Sequence, residues 1–74
     1  LITANAQVDM QNEHGETPLI LAAREGNNEF VAFLVEHQAN VNLADNLQRT
    51  ALYYASERGY NESTEILLAA GAEG

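Results

Sequence analysis

Apolar positions along this chain follow the spacing of short amphipathic helices separated by polar turns. After Thr17, apolar residues recur three and four positions apart as far as Gly26, which places them on one face of a helix. Thr17 can cap a helix by accepting a backbone N–H bond, and Pro18 suits the first helical position. Gly26 suits the left-handed residue that ends a helix. The pattern therefore predicts a helix over residues 18–25.

Similar patterns predict three further helices, over residues 29–37, 51–58 and 62–70. The helix at 29–37 has one side formed by Phe30, Phe33, Leu34 and His37, with Val31 and Val35 beside them. The segment at 38–48 is polar, with scattered Asn and Asp. This composition favours an extended turn rather than a helix.

The chain repeats itself at an offset of 33 residues. The segment that begins at Asn12 matches the segment that begins at Asp45. The matched identities include Thr17 with Thr50, Leu19 with Leu52, Ala22 with Ala55, Gly26 with Gly59, Leu34 with Leu67, and Ala39 with Ala72. The same offset backwards places Leu34 on Leu1. The sequence thus predicts the tail of one repeat at 1–9 and two nearly whole repeats at 10–42 and 43–74. We expect the small residues Ala22 and Ala55 to lie where helices approach closely.

A helix-turn-helix unit repeated every 33 residues, with Thr-Pro-Leu at its first helix, resembles the ankyrin repeat. The residues that carry the resemblance are Gly15, Thr17-Pro18-Leu19, Ala22-Ala23, Gly26, Leu34-Val35 and Ala39-Asn40-Val41-Asn42. The resemblance covers essentially the whole chain. It implies an all-α solenoid of stacked helix-turn-helix units with β-hairpin-like connecting loops.

Some positions depart from the family's pattern. Ile20 and Tyr53 replace the histidine that usually follows Thr-Pro-Leu, so the side-chain hydrogen bond from that histidine to the threonine is absent. Gln48 stands where the hairpin usually has glycine. Gln38 replaces the usual glycine after the second helix, whereas Gly71 keeps it. We expect the turn at Gln48 to be strained or altered.

The charge of the chain narrows the class of partner. The formal net charge is −8, there is no lysine, and the only cationic residues are Arg24, Arg49 and Arg58. Nucleic acids are excluded because their binding rests largely on Lys and Arg neutralising phosphates, and anionic membrane surfaces are disfavoured for the same reason. No apolar run approaches the roughly 20 residues of a membrane helix. A partner protein with a basic or neutral surface fits this charge best.

The sequence carries no pattern for catalysis, a cofactor or a metal. Without cysteine there is no disulfide or thiolate zinc site, and His14 and His37 lack the spacing of a histidine metal pair. No nucleophile with a neighbouring base and no glycine-rich phosphate loop is visible. We therefore expect a protein that is not an enzyme and holds no cofactor. The lack of cysteine is compatible with a reducing compartment, and we expect an intracellular, cytoplasmic location.

The resemblance implies binding at the hairpin tips and the concave first-helix surface. The partner-binding positions are then expected at Gln11, Glu13, His14, Glu16, Arg24, Glu25, Ala44, Asn46, Leu47, Arg49, Tyr53, Glu57 and Arg58. Leu47 stands out because a large apolar residue at a turn tip gains nothing from solvent. Tyr54 aligns with Leu21 and is expected in the core, whereas Tyr53 fits core and surface equally well.

Two classes of function remain open on the sequence. The first is a recognition module that binds another protein. The alternative is a structural spacer or regulatory segment of a larger enzyme or channel, with no ligand of its own. A fold by itself does not decide between them.

The two ends of the chain differ in character. The first residue is Leu rather than Met, so we interpret the chain as a piece of a longer protein. Ser63 and Thr64 stand where the first repeat has Phe30 and Val31. Such a polar replacement suits a capping repeat that no further repeat covers. We therefore expect the array to end near Gly74.

Overall fold

The computed structural model describes residues 9–72 of the chain. Four α-helices lie in this range, labelled α1 (Pro18–Glu25), α2 (Asn28–Glu36), α3 (Ala51–Arg58) and α4 (Asn61–Ala69). These bounds confirm the four predicted helices to within one residue at each end. Residues 9–72 contain no strand, only an isolated antiparallel bridge between Ala44 and Thr50. The protein is therefore all-α, as expected, and the predicted repeat tail at 1–9 lies outside the described residues apart from Asp9.

Threonine side chains set the start of the first helix of each repeat. The Thr17 hydroxyl accepts a hydrogen bond from the Ile20 N–H at 3.1 Å, and Thr50 accepts one from the Tyr53 N–H at 3.3 Å. Each bond satisfies an N–H group that a helix leaves unpaired at its first turn. The predicted caps of α1 and α3 are thereby confirmed.

The two repeats stack with α1 packed on α3 and α2 packed on α4. The buried residues are mostly aliphatic or small, and they include Leu19, Ile20, Ala22, Ala23, Val31, Leu34, Ala51, Leu52, Tyr54, Ala55 and Leu67. Ala55 is fully buried and Ala22 nearly so, as expected for positions where helices approach closely. Tyr54 is also buried, which confirms its predicted place in the core.

The helix α2 buries a narrower face than its apolar pattern suggests. Val31 and Leu34 are fully buried, but Phe30 and Phe33 are 39% and 40% exposed, and their rings stack with centroids 5.9 Å apart. The equivalent of Phe30 in the second repeat is Ser63, which is fully buried. The side of α2 that carries the two phenylalanines therefore corresponds to the side of α4 that packs on the first repeat.

Ser63 lies at the contact between the two repeats. Its hydroxyl donates a hydrogen bond to the side-chain oxygen of Asn28. The prediction that Ser63 supplies polar surface for a cap is therefore wrong, because this side chain faces the preceding repeat. Thr64 is partly buried and donates to the Tyr60 carbonyl at 2.9 Å, while Leu68 is 54% exposed. That the second repeat is a cap stays a prediction.

Gln48 and Gln38 adopt the backbone conformation of the glycines that they replace. Their φ angles are 67° and 70°, in the left-handed region, which costs a non-glycine residue about 1 to 2 kcal/mol. The equivalent of Gln48 in the first hairpin is Gly15, where a Cβ would come within 2.7 Å of the Asn46 nitrogen. Gln48 is exposed, so its side chain has the space that Gly15 lacks. The turn at Gln48 is thus strained, as expected, but it keeps its left-handed geometry.

We expect Gly26→Ala to destabilise the protein more than Gly59→Ala. Both glycines have φ 75°, so either alanine costs about 1 to 2 kcal/mol for a left-handed backbone. A Cβ at Gly26 would in addition meet the Tyr60 ring at 2.9 Å, whereas the space beside Gly59 is open. Urea unfolding of both variants measures the difference in free energy of unfolding. Equal losses would contradict the packing of Tyr60 on Gly26.

Ala55→Leu is expected to lower the free energy of unfolding by about 1 to 3 kcal/mol, because the added methylenes overpack a fully buried site. Ser56→Leu is the matched control, since Ser56 is exposed on the same helix and should change stability by no more than about 0.5 kcal/mol. Thermal denaturation of the two variants checks this. An unchanged Tm for Ala55→Leu would refute the close helix contact.

Candidate protein-binding groove

An open groove of about 640 Å³ lies between the two hairpins and the first helices of the two repeats. Its lining residues come from both repeats and are His14, Glu16, Arg24, Asp45, Asn46, Leu47, Arg49, Tyr54 and Arg58. The groove therefore exists only when the two repeats are stacked, and its shape depends on how their loops are held.

Hydrogen bonds from Asn46 join the tips of the two hairpins. Its backbone N–H donates to the His14 carbonyl at 3.0 Å, and its side-chain amide donates to the Glu13 carbonyl at 3.0 Å. Gln11 adds a second connection, since its amide donates to the Gly15 carbonyl at 2.8 Å and to the Ala44 carbonyl at 3.1 Å. These bonds hold the loops of neighbouring repeats in a fixed relative position.

The Asp45 carboxylate organises the second hairpin from within. One oxygen accepts from the Leu47 N–H at 2.9 Å and the Arg49 N–H at 3.0 Å, and the other accepts from the Tyr54 hydroxyl at 2.5 Å. In the first hairpin, the Asn12 side-chain oxygen accepts two equivalent backbone bonds at 2.9 Å. An Asx side chain bonded to the backbone of its own turn thus shapes both loops.

The hydrogen bonds at Asp45 also determine the protonation state of its carboxyl group. Burial acts to raise the pKa of Asp45, but the bonds from Tyr54, Arg49 and Leu47 outweigh it, so the pKa lies below its usual value. The bond to Asp45, together with burial, raises the pKa of Tyr54. At neutral pH the pair is therefore an ionised carboxylate that accepts from a neutral phenol.

Glu16 and Arg24 form an ion pair on the other wall of the groove. Arg24 Nη1 lies 2.6 Å from Glu16 Oε2, and the Asn12 amide donates to Glu16 Oε1 at 3.0 Å. The bond from Asn12, followed by that from Arg24, lowers the pKa of Glu16. Both oxygens of this carboxylate are thus engaged inside the first repeat.

Two of the arginines also lie over tyrosine rings. The Arg24 guanidinium carbon is 5.8 Å from the centroid of Tyr54, and that of Arg49 is 5.2 Å from the centroid of Tyr53. Cations within about 6 Å of a ring centroid are attracted by the aromatic quadrupole. The tyrosines therefore fix where these two charges lie.

Leu47 and Arg58 are lining residues whose exposed side chains little inside the protein engages. Leu47 is 67% exposed at the tip of the second hairpin. Arg58 is exposed at the end of α3, and within residues 9–72 its side chain forms no hydrogen bond or ion pair. An apolar and a cationic side chain are thus presented to solvent on one groove.

The structure brings seven of the thirteen expected binding positions into the groove: His14, Glu16, Arg24, Asn46, Leu47, Arg49 and Arg58. Tyr53 is 38% exposed beside it, and its hydroxyl donates to the exposed Glu57 at 3.3 Å. Glu13 and Glu25 are exposed outside the groove lining. Gln11 and Ala44 mainly hold the hairpins together, as their hydrogen bonds show.

Two lining residues, Asp45 and Tyr54, are missing from the expected set. The alignment of Tyr54 with Leu21 predicts a core position, and the buried Tyr54 also lines the groove. The signal for Asp45 was its alignment with Asn12, since an Asx residue at the same place in two turns indicates a side chain that organises the loop.

A family model described as ankyrin repeats, in three copies, matches residues 1–74. The chain belongs to the ankyrin-repeat family. An ankyrin repeat protein of Acanthamoeba polyphaga mimivirus is 47% identical to it over 64 residues, which is 85% of this chain and 16% of that protein. Neurogenic locus notch homolog protein 2 of Homo sapiens is 42% identical over 65 residues, which is 88% of this chain and 3% of that protein.

The ankyrin fold is also found in solved structures. The structure of a predatory endopeptidase from Bdellovibrio bacteriovorus in complex with an immunity protein contains a chain that matches this one with a TM-score of 0.85 and 38% identity. The match covers 89% of this chain and 34% of that chain. This ankyrin chain thus spans a small part of the length of the relatives that it resembles.

Within residues 9–72, no three His, Asp or Glu side chains come together as a metal site would require. None of the four described helices is both long and apolar enough to cross a membrane.

Asp45→Asn is expected to lower the free energy of unfolding by about 1 kcal/mol at pH 7. The amide keeps an oxygen for the Leu47 and Arg49 N–H groups, as Asn12 does in the first hairpin, but loses the charge that the Tyr54 hydroxyl meets. Because the folded pKa of Asp45 is lowered, its contribution is full above the unfolded value of 3.8 and is lost as pH falls through the folded pKa. Urea unfolding from pH 7 down to about pH 3 should show the variant and the wild type converging. A difference independent of pH would contradict an ionised, hydrogen-bonded Asp45.

Proposed function

We propose that this chain is a non-enzymatic recognition module that binds another protein in the groove between its hairpins and first helices. The observation that supports this most directly is that one groove presents both exposed Leu47, on a hairpin held by internal hydrogen bonds, and exposed Arg58, at the end of α3. The thirteen positions expected from the sequence, with Asp45 and Tyr54 added, form or border the proposed surface.

The fixed geometry of the loops favours binding. A partner that meets a flexible loop loses affinity because ordering the loop costs conformational entropy. Here Asp45, Asn46 and Gln11 have already ordered the hairpin tips through the bonds described above. Leu47 can therefore act as an anchor without a large ordering cost for its loop, and the backbone of Arg58 is already ordered in α3. Arginine is also among the residue types enriched at binding hot spots.

The relatives give the proposal its class but not its partner. Ankyrin repeats are a protein–protein interaction module, and the matched chain occurs in a structure of a protein complex. The binding partners in that complex are those of the Bdellovibrio proteins, and they do not identify the partner of this chain.

A second candidate is a structural or regulatory segment of a larger protein. It is favoured by the stacked and exposed Phe30 and Phe33, which lie on the side of α2 equivalent to the repeat-packing side of α4. Further polypeptide packed there would bury both rings. This role and partner binding at the groove use different surfaces, so both can hold for one protein.

Leu47→Ala and Arg58→Ala are each expected to weaken partner binding about tenfold, which corresponds to about 1.4 kcal/mol. Neither should lower the Tm by more than a degree or two, because both side chains are exposed. Glu36→Ala, on the second helix of the first repeat, is the control and should leave binding unchanged. Affinity capture with the tagged chain and its variants, followed by titration of a captured protein, measures this. Equal losses from Glu36→Ala and the groove variants would argue against the assigned surface.

A further inference from the structure

All the cationic side chains of this acidic chain meet in one place. Arg24, Arg49 and Arg58 are its only Lys or Arg residues, and all three line the groove. Of the ten acidic residues within residues 9–72, only Glu16 and Asp45 line the same groove. Cations therefore outnumber carboxylates in the groove, although the formal net charge of the chain is −8.

The two groove carboxylates are already engaged by their own repeats. Glu16 accepts from Arg24 and Asn12, and Asp45 accepts from Tyr54 and from two N–H groups of its turn. A cationic partner would have to compete with these short internal bonds. The carboxylates are therefore poor candidates for binding a lysine or arginine of a partner.

Part of the remaining negative charge lies on the second helices, while Glu13, Glu25 and Glu57 are exposed on the hairpin and the first helices outside the groove lining. The second helices, α2 and α4, carry no Lys or Arg, and their acidic residues are Glu29, Glu36, Glu62 and Glu65. Charges separated by more than about 8 Å are largely screened at physiological salt. The net charge of the whole chain thus says little about the side chain that a partner places in the groove.

Arg58 is the arginine that a partner can use. Arg24 is held by Glu16, and Arg49 lies over the Tyr53 ring, but the exposed Arg58 side chain forms no ion pair within residues 9–72. A guanidinium donates two parallel N–H bonds to one carboxylate, a geometry that a neutral or cationic side chain does not match. Leu47 lines the same groove and offers an apolar contact.

We propose that the groove selects an acidic segment of its partner, in which an Asp or Glu pairs with Arg58 and a neighbouring apolar side chain packs on Leu47. This proposal rests on the proposed function and assigns the chemistry of the partner at that same groove. It replaces the expectation of a basic or neutral partner, which followed from net charge.

A displayed library of random peptides, each of about 12 residues, tests the proposal with the whole chain immobilised. We expect selection to enrich peptides that carry Asp or Glu within two positions of a large apolar residue. One enriched peptide is then synthesised and titrated against the wild type, Arg58→Gln, Leu47→Ala and Asn61→Asp. Asn61→Asp is the charge-matched control, since it also lowers the net charge by one but lies outside the groove lining.

Arg58→Gln should weaken binding of the acidic peptide about tenfold, and Asn61→Asp less than about twofold. Enrichment of basic or uncharged peptides whose binding still depends on Leu47 would overturn the acidic selection while leaving groove binding intact. Failure to enrich any peptide, or enrichment of peptides insensitive to both groove variants, would overturn the proposed function together with the acidic selection. Equal losses from Arg58→Gln and Asn61→Asp would show a general charge effect and also refute the pairing with Arg58.

Discussion

The buried carboxylate of Asp45 connects the second hairpin to the helix beneath it, and the groove depends on that connection. Its two oxygens accept from the Leu47 and Arg49 N–H groups and from the Tyr54 hydroxyl. Three hydrogen bonds satisfy a charge that would otherwise be costly to bury. In return they hold the turn at one angle to α3, and this angle sets where Leu47 points.

The two repeats solve the same packing problem with different pairs of residues. The first repeat has Asn12 in the turn and Leu21 on the first helix, and the second has Asp45 and Tyr54 at the equivalent positions. A leucine needs no hydrogen bond, so a neutral amide suffices to shape the first turn. A buried tyrosine hydroxyl needs an acceptor, and the carboxylate supplies it at 2.5 Å. The carboxylate of Asp45 in place of Asn12 and the hydroxyl of Tyr54 in place of Leu21 therefore depend on each other.

Local signals explain how much of the fold could be predicted. Thr17-Pro18 and Gly26 act within a few residues of themselves, so the bounds of α1 follow from the sequence. Contacts between repeats are different, because they depend on which side of a helix meets its neighbour. Ser63 reads as a polar surface residue in the chain but is buried against Asn28, and Phe33 reads as a core residue but is 40% exposed. The spacing of apolar residues within one helix does not show which apolar side packs on the neighbouring repeat and which side stays exposed.

The candidate site shows the same division between local and spatial information. The resemblance to the ankyrin repeat implies that the hairpin tips share one surface, and seven of the expected positions line the groove. Net charge predicts a basic or neutral partner because it counts every residue equally, whereas our proposal of an acidic partner rests on the groove lining. What a partner meets is decided by the groups that remain after internal bonds are formed. The carboxylate oxygens of Glu16 and Asp45 accept hydrogen bonds from groups within the protein. The Arg58 side chain at the end of α3, in contrast, forms no hydrogen bond or ion pair within residues 9–72. In a chain with few cations, the exposed Arg58 carries more information about binding than the many carboxylates around it.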